Sequence, residues 1–330
     1  MVYHRKYFDP AKKGGKPVDG DPQTVAFSWR TSAGPDVYLF SPLATLAVNV
    51  ALATRRPLLV TGEPGSGKTR LAAAVAEVLD WQSYARTVTS RTQAADLLWT
   101  FDALRRLNDA TTPGRALLAE QLYVQPGPVW WGFDPASAEH RGGRTLSDSR
   151  DRVSNPASSR AGHGAVVLID EIDKADPDVP NDLLEPFDTR RFTVKETNDT
   201  IVATRDIFLM LTTNGERELP PAFVRRCVVL PLAEPDEDWF VRVAKEHFPG
   251  GDAALHRRVA VEVQRLRDAT KQGVRKPSTA EFLDALRVCV ELQTDTTAAE
   301  WTEVINTVLV KSDQAAASRA RLTPGGAPVV

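Results

Sequence analysis

Cysteine is almost missing: Cys227 and Cys289 are the only two in 330 residues. So few thiols exclude a disulfide framework and a CxxC metal knuckle, and they suit a reducing cytoplasm. No apolar run is long. The stretches near Leu46–Ala53 and Val166–Ile169 fall far short of the roughly 18–20 residues that a membrane span needs. Nor does one sign of charge dominate, with 41 Lys and Arg against 43 Asp and Glu and a formal net charge of -2. That balance offers neither a basic coat for nucleic acid nor an acidic solvating tail. Met1–Lys16 carries charges but no apolar h-region, so no secretory signal is expected. No internal repeat is visible. What remains is ordinary globular material, 42% hydrophobic and 25% charged, of a length that suits one large domain and a smaller one.

Residues 1–36 are rich in Gly, Pro, Lys and Asp, which predicts an irregular N-terminal arm, with Val25–Trp29 packing onto the body. From residue 37 the pattern changes. Ser41-Pro42 reads as an N-cap followed by the first helical position. Leu43, Leu46, Ala47, Val50 and Ala51 then fall at helical spacing until Arg55-Arg56-Pro57. Short apolar runs follow at Leu58–Val60, Tyr84–Val88, Val166–Ile169, Ile207–Leu211 and Val228–Leu230. Helical patterns lie between them at Lys68–Leu79, Gln93–Leu107 and Pro180–Phe187. Strand alternating with helix predicts an α/β domain over 37–234, a parallel sheet covered on both faces. Two insertions interrupt it: a polar, mobile loop over about 134–164 and a β-hairpin over about 191–204. Beyond Pro235 the strand signals stop. Asp236–Phe248, Ala253–Thr270, Thr279–Leu292 and Ala298–Gln314 read as amphipathic helices, giving a helical domain over 235–317 and a fraying tail over 318–330.

The chemistry is concentrated in a few motifs. Gly62-Glu63-Pro64-Gly65-Ser66-Gly67-Lys68-Thr69 is a complete GxxxxGK[ST] P-loop, set between an apolar strand and a helix as that motif requires. Its glycines let backbone N–H groups wrap phosphates, and the helix start adds positive partial charge. Lys68 would meet the β- and γ-phosphates and Thr69 would bind Mg²⁺; Arg70 completes the nucleotide-binding stretch. Val166–Ile169 runs into Asp170 and Glu171. Asp170 is placed to hold Mg²⁺ through water, and Glu171 to orient and polarise an attacking water. Ile207–Leu211 leads to Thr212-Thr213-Asn214, and a strand-tip amide can contact the γ-phosphate. Leu219–Cys227 ends a short helix in Arg225 and Arg226. These are either a finger reaching a neighbour's phosphate or a surface pair favoured at a helix C-terminus. The aromatic cluster Val129–Phe133 reads as packing rather than as a probe for partners, and His140 and His163 lack metal-ligand spacing.

In this order and spacing the motifs resemble an AAA+ ATPase, and more closely the MoxR-like branch, over about Tyr38 to Lys311. The residues that carry the likeness are Gly62–Thr69, Leu168–Ala175, Gln93–Leu107, Asn181–Glu185 and Phe223–Cys227. The resemblance implies a three-layer αβα core with a five-stranded parallel sheet and a smaller helical lid. It implies a homo-oligomeric ring, usually a hexamer, with ATP between subunits. Lys68, Thr69, Asp170, Glu171 and Asn214 would act in cis, and Arg226 or Arg225 in trans, Arg226 being the first choice. A client protein and a separate von Willebrand A-domain partner fit this branch. A McrB-like nucleic-acid motor and a slow nucleotide switch in a defence or signalling complex are the alternatives. One feature departs from the family. The second-sensor Arg is missing from Lys276–Glu281, leaving Arg275 or Lys276 as the substitute.

Overall fold

The computed structural model describes residues 6–31, 34–141, 164–270, 276–293 and 299–309. The chain divides into two compact units, Met1–Glu63 with Lys68–Leu232, and Pro64–Gly67 with Ala233–Val330.

The first unit is built on a five-stranded sheet of β4 (Leu58–Thr61), β5 (Gln82–Thr87), β8 (Gly164–Asp170), β11 (Asp206–Thr213) and β12 (Val228–Pro231). Its order is β12-β4-β11-β8-β5, and every neighbouring pair is parallel. Consecutive side chains alternate between its faces. Leu59, Val167, Ile169 and Leu211 enter one core cluster, while Leu58, Val60, Leu168 and Met210 enter the other. Burial on both faces explains why these strands read as unbroken apolar runs rather than alternating ones. Helix α1 (Pro42–Thr54) starts where the Ser41 hydroxyl accepts the Ala44 N–H, and it stops at Arg55 in the left-handed region. Helix α2 (Lys68–Leu79) buries Leu71, Ala72, Val75 and Val78 in the second cluster.

The N-terminal region is not an irregular arm. β1 (Lys16–Val18), β2 (Asp21–Thr31) and β3 (Gly34–Phe40) form an antiparallel sheet, and Phe8, Phe27 and Phe40 are buried in the second core cluster. Asn49 of α1 holds the chain just before it. Its side chain accepts the N–H groups of Tyr7 and Phe8 and donates to the carbonyls of Phe8 and Thr45. Pro and Gly frame these strands at the sequence level, and most of their residues are half-buried or exposed rather than buried, so period-two patterning is weak.

A second expectation also fails. Gln93–Leu107 is not one helix but α3 (Ala94–Leu98), β6 (Trp99–Phe101) and α4 (Ala103–Thr111). β6 pairs antiparallel with β7 (Val124–Pro126). The Trp99 ring stacks on Phe192 with a 4° interplanar angle, and its Nε1–H donates to Glu196 at 2.7 Å. Aromatic packing thus overrides local helix propensity. Val129–Phe133 lies in α5 (Pro128–Phe133), all of it buried. The region read as a loop over 134–164 begins with α6 (Pro135–Glu139), capped by Asp134, and ends in β8. Its residues 142–163, including His163, lie outside the described residues. α7 (Val179–Thr189) leads into β9 (Arg191–Val194) and β10 (Asp199–Val202), an antiparallel pair in the 191–204 segment.

The second unit holds α9 (Glu237–His247), α10 (Ala253–Ala269), α11 (Thr279–Glu291) and α12 (Ala299–Leu309). Asp236, Asp252 and Ser278 cap the first three, and Ser278 forms a reciprocal capping box with Glu281. Phe240 and Phe282 meet at 4.8 Å in its core. The 318–330 tail lies outside the described residues.

Candidate active site

Parallel strands with their carboxyl ends at one edge bring together residues distant in sequence. β11 lies between β4 and β8, with Thr213 opposite Thr61 and Leu211 opposite Ile169. Gly62-Glu63, Asp170-Glu171 and Asn214 therefore leave the sheet side by side. Within the loop, Gly65 and Gly67 have φ of 76° and 91°, a region that favours glycine. The Ser66 hydroxyl is buried with no hydrogen-bond partner.

Lys68 is only 6% exposed. Its ammonium donates to the carbonyls of Gly62 at 2.7 Å and Glu63 at 2.8 Å. Burial lowers its pKa, and the negative charges of Asp170, Asp173, Glu171 and Glu63 work against that shift. The Thr69 hydroxyl lies 3.1 and 3.0 Å from the two oxygens of Asp170. Hydroxyl and carboxylate together make an all-oxygen donor set, the chemistry that suits Mg²⁺. Arg70 is paired with Asp36 of β3 at 3.2 Å.

Glu171 takes up a left-handed conformation at φ 59° and ψ 48°, a cost of about 1–2 kcal/mol for a residue with a Cβ. Its N–H donates to the Thr212 hydroxyl at 2.9 Å, and that hydroxyl in turn donates to Asp170. The Glu171 carboxylate is gripped on both oxygens. Asn214 Nδ2 donates to Oε1 at 3.1 Å, and Lys174 Nζ to Oε2 at 2.7 Å. The hydrogen bond to Glu171 raises the Lys174 pKa.

Three participants escaped sequence reasoning. Thr212 is a hydroxyl inside an otherwise apolar buried strand, 0% exposed, and that polarity was the available signal. Asp173 is buried, and its carboxylate accepts the Glu216 N–H at 3.0 Å. Lys174 has no sequence signal of its own beyond its place in the Leu168–Ala175 run.

Arg225 and Arg226 follow α8 (Pro221–Val224) and are both exposed. Among the described contacts neither reaches the Asp170–Glu171 cluster; Arg226 lies 4.0 Å from Asp188. In the helical unit, Arg275 lies outside the described residues. Lys276 donates to Glu234 at 2.9 Å, where the buried Arg267 also binds at 3.4 Å. Lys276 and Arg267 hold the Glu234 carboxyl below its usual pKa. Among the described residues no group of three or more His, Cys, Asp or Glu could hold a metal ion. Nor is any helix among them long and apolar enough to cross a membrane.

Two solved structures are similar to this chain. A RuvB point mutant from Thermotoga maritima is 14% identical with a TM-score of 0.44, over 81% of this chain and 67% of that one. A candidate ATPase from Cytophaga hutchinsonii is 15% identical with a TM-score of 0.39, over 84% of this chain and 85% of that one. No curated protein matches the chain. Residues 57–227, just over half of the chain, match the model of the AAA domain of the dynein-related subfamily. The match spans the P-loop, the paired carboxylates, the strand-tip Asn and both arginines. The chain belongs to this family of nucleotide-binding ATPase domains.

Proposed function

We propose that the protein is a MoxR-like AAA+ ATPase. In this reading it couples Mg²⁺-dependent ATP hydrolysis, in a hexameric ring of its own copies, to remodelling or activating a client protein. A separate von Willebrand A-domain protein is the partner of choice. Residues 37–234 would bind nucleotide and 235–317 would act as the lid. The observation that carries the hydrolytic part is the grip on Glu171, whose carboxylate is held by Asn214 and Lys174 next to the Thr69–Asp170 pair.

The roles follow from the chemistry. Backbone N–H groups of Gly62–Gly67 wrap the phosphates, and Lys68 exchanges its carbonyl partners for phosphate oxygens. Thr69 and Asp170 would hold Mg²⁺, which when bound neutralises charge that develops on the transferring phosphoryl group. Glu171 polarises the attacking water and takes up its proton, and Asn214 aligns that water. An arginine from the adjacent subunit, Arg226 before Arg225, stabilises the transition state.

Turnover by the purified ring, measured alone, with candidate von Willebrand A-domain proteins and with DNA or RNA, tests the reading. Lys68→Ala should lose ATP affinity, because phosphate charge goes uncompensated. Glu171→Gln should keep binding while hydrolysis stops, and should trap the ATP-bound assembly. Wild-type turnover in that variant would remove Glu171 from the role. Stimulation by nucleic acid instead of protein would favour the McrB-like motor, and negligible turnover in an assembled ring the slow switch.

A further inference from the structure

We infer that Arg56 is a positioning residue for the Arg225–Arg226 pair, clamping the backbone from which both side chains leave the subunit. Its Nε donates to the Arg226 carbonyl at 3.1 Å, and one of its terminal nitrogens donates to the Arg225 carbonyl. These carbonyls close the short helix α8, where backbone acceptors run out of intrahelical partners. A guanidinium is the side chain that can serve two consecutive carbonyls, because its N–H groups form a rigid planar fork. The clamp is itself fixed. Arg55 ends α1 in the left-handed region, and the Pro57 carbonyl accepts the Val228 N–H at 2.8 Å. Arg56 therefore sits between the last turn of α1 and the first residue of β4, beside the start of β12.

The clamp acts on the backbone and not on the heads of the pair, whose residues are both exposed. Among the described residues Arg226 has only the 4.0 Å approach to Asp188, with Arg226 and Asp188 both more than 60% exposed. A group that must meet a phosphate on another subunit needs such an arrangement: a fixed origin with a mobile, solvated tip. Arg56 is exposed as well, so truncating it leaves no buried cavity and no core residue unsupported. The inference rests on the proposal that the pair completes a neighbour's site, and the test separates the two.

Arg56→Ala, Arg56→Lys and the double variant Arg225→Ala/Arg226→Ala would be compared as assembled full-length protein. Displacing a reacting group by about 1 Å can cost on the order of 10²-fold in rate. Arg56→Ala should lower kcat by about that factor, while ATP affinity of the isolated subunit and Tm stay at wild-type values. Arg56→Lys should recover part of the loss, since an ammonium can still reach one carbonyl. Adding Glu171→Gln subunits, which keep Arg56 and the pair, should restore turnover to Arg56→Ala rings. Wild-type kcat in Arg56→Ala, with the double variant inactive, overturns the inference and leaves the arginine pair in place. Full activity in the double variant removes the pair and the clamp together. Parallel losses of Tm, ATP affinity and kcat in Arg56→Ala would reduce Arg56 to a structural contact and also overturn it.

Discussion

Thr212 carries more of the candidate site than its position in an apolar strand suggests. One hydroxyl accepts the Glu171 N–H and donates to Asp170, so it ties the backbone of one carboxylate to the side chain of the other. Leaving a buried N–H unpaired costs about 1–3 kcal/mol. Thr212→Val, nearly the same in shape, should lose stability of that order in urea unfolding. It should also lower kcat more than it raises KM, because the left-handed turn at Glu171 loses its hold. Thr212→Ser should restore both, and equal kcat in all three proteins would remove the hydroxyl from any part in hydrolysis. Cys227, next to the arginine pair, has a thiol that burial keeps protonated. It is buried, and desolvation lifts its thiol from 9.0 to about 11, against an opposing pull from Arg56.

At the scale of elements, the aromatic helix α5 is tied to the sheet by Arg205, a buried guanidinium at the entry to β11. Its donors reach the carbonyls of Gly132 and Trp131, the Gln82 side chain and the Tyr84 hydroxyl, and its Cζ lies 5.6 Å from the Tyr84 ring centroid. Arg205→Met keeps volume but strands these acceptors, and should destabilise the fold by about 3 kcal/mol or more. Chemical denaturation measures it, and a change within 0.5 kcal/mol, about the range of neutral surface substitutions, would contradict the account. In the helical unit, His256 of α10 is buried with neither ring nitrogen hydrogen-bonded. Desolvation lowers its pKa; Asp252 pulls it up and Lys245 pushes it further down. The folded state thus resists a proton that the unfolded chain accepts near pH 6.5. Stability should be full above that pH and fall as pH drops below it. His256→Phe should flatten this part of the Tm–pH profile, and an unchanged slope would assign the dependence to other groups.

Across the whole molecule, one chain holds a P-loop, a carboxylate proposed to activate water and an amide proposed to contact the γ-phosphate, while Arg225 and Arg226 are exposed. The proposed site is complete only with a neighbour. Losing a finger arginine costs roughly 10³–10⁵ in rate, so Arg226→Ala should nearly abolish turnover yet spare ATP binding by an isolated subunit. Mixing Arg226→Ala with Glu171→Gln should revive activity, because the second variant lends an intact arginine to the first variant's intact Glu171. Mixed rings of verified size that stay inactive would argue against action in trans.

The P-loop, the Asp170-Glu171 pair and the alternation of strand and helix were legible from residue order alone, since each depends on contiguous residues and on burial of whole strands. The helices of the second unit were legible for the same reason: their caps and periodicity are local. What only the tertiary structure decided are relations across the chain. β6 is a strand because Trp99 stacks on Phe192 and hydrogen-bonds to Glu196, partners nearly a hundred residues away. The N-terminal sheet forms because aromatic residues of its strands enter a core whose members extend as far downstream as Leu230. Thr212, Lys174 and Arg56 acquire their contacts from the packing of strand ends and helix ends. Hydrogen bonds between such distant groups leave no periodic trace in sequence, because each needs a single side chain at one place in space.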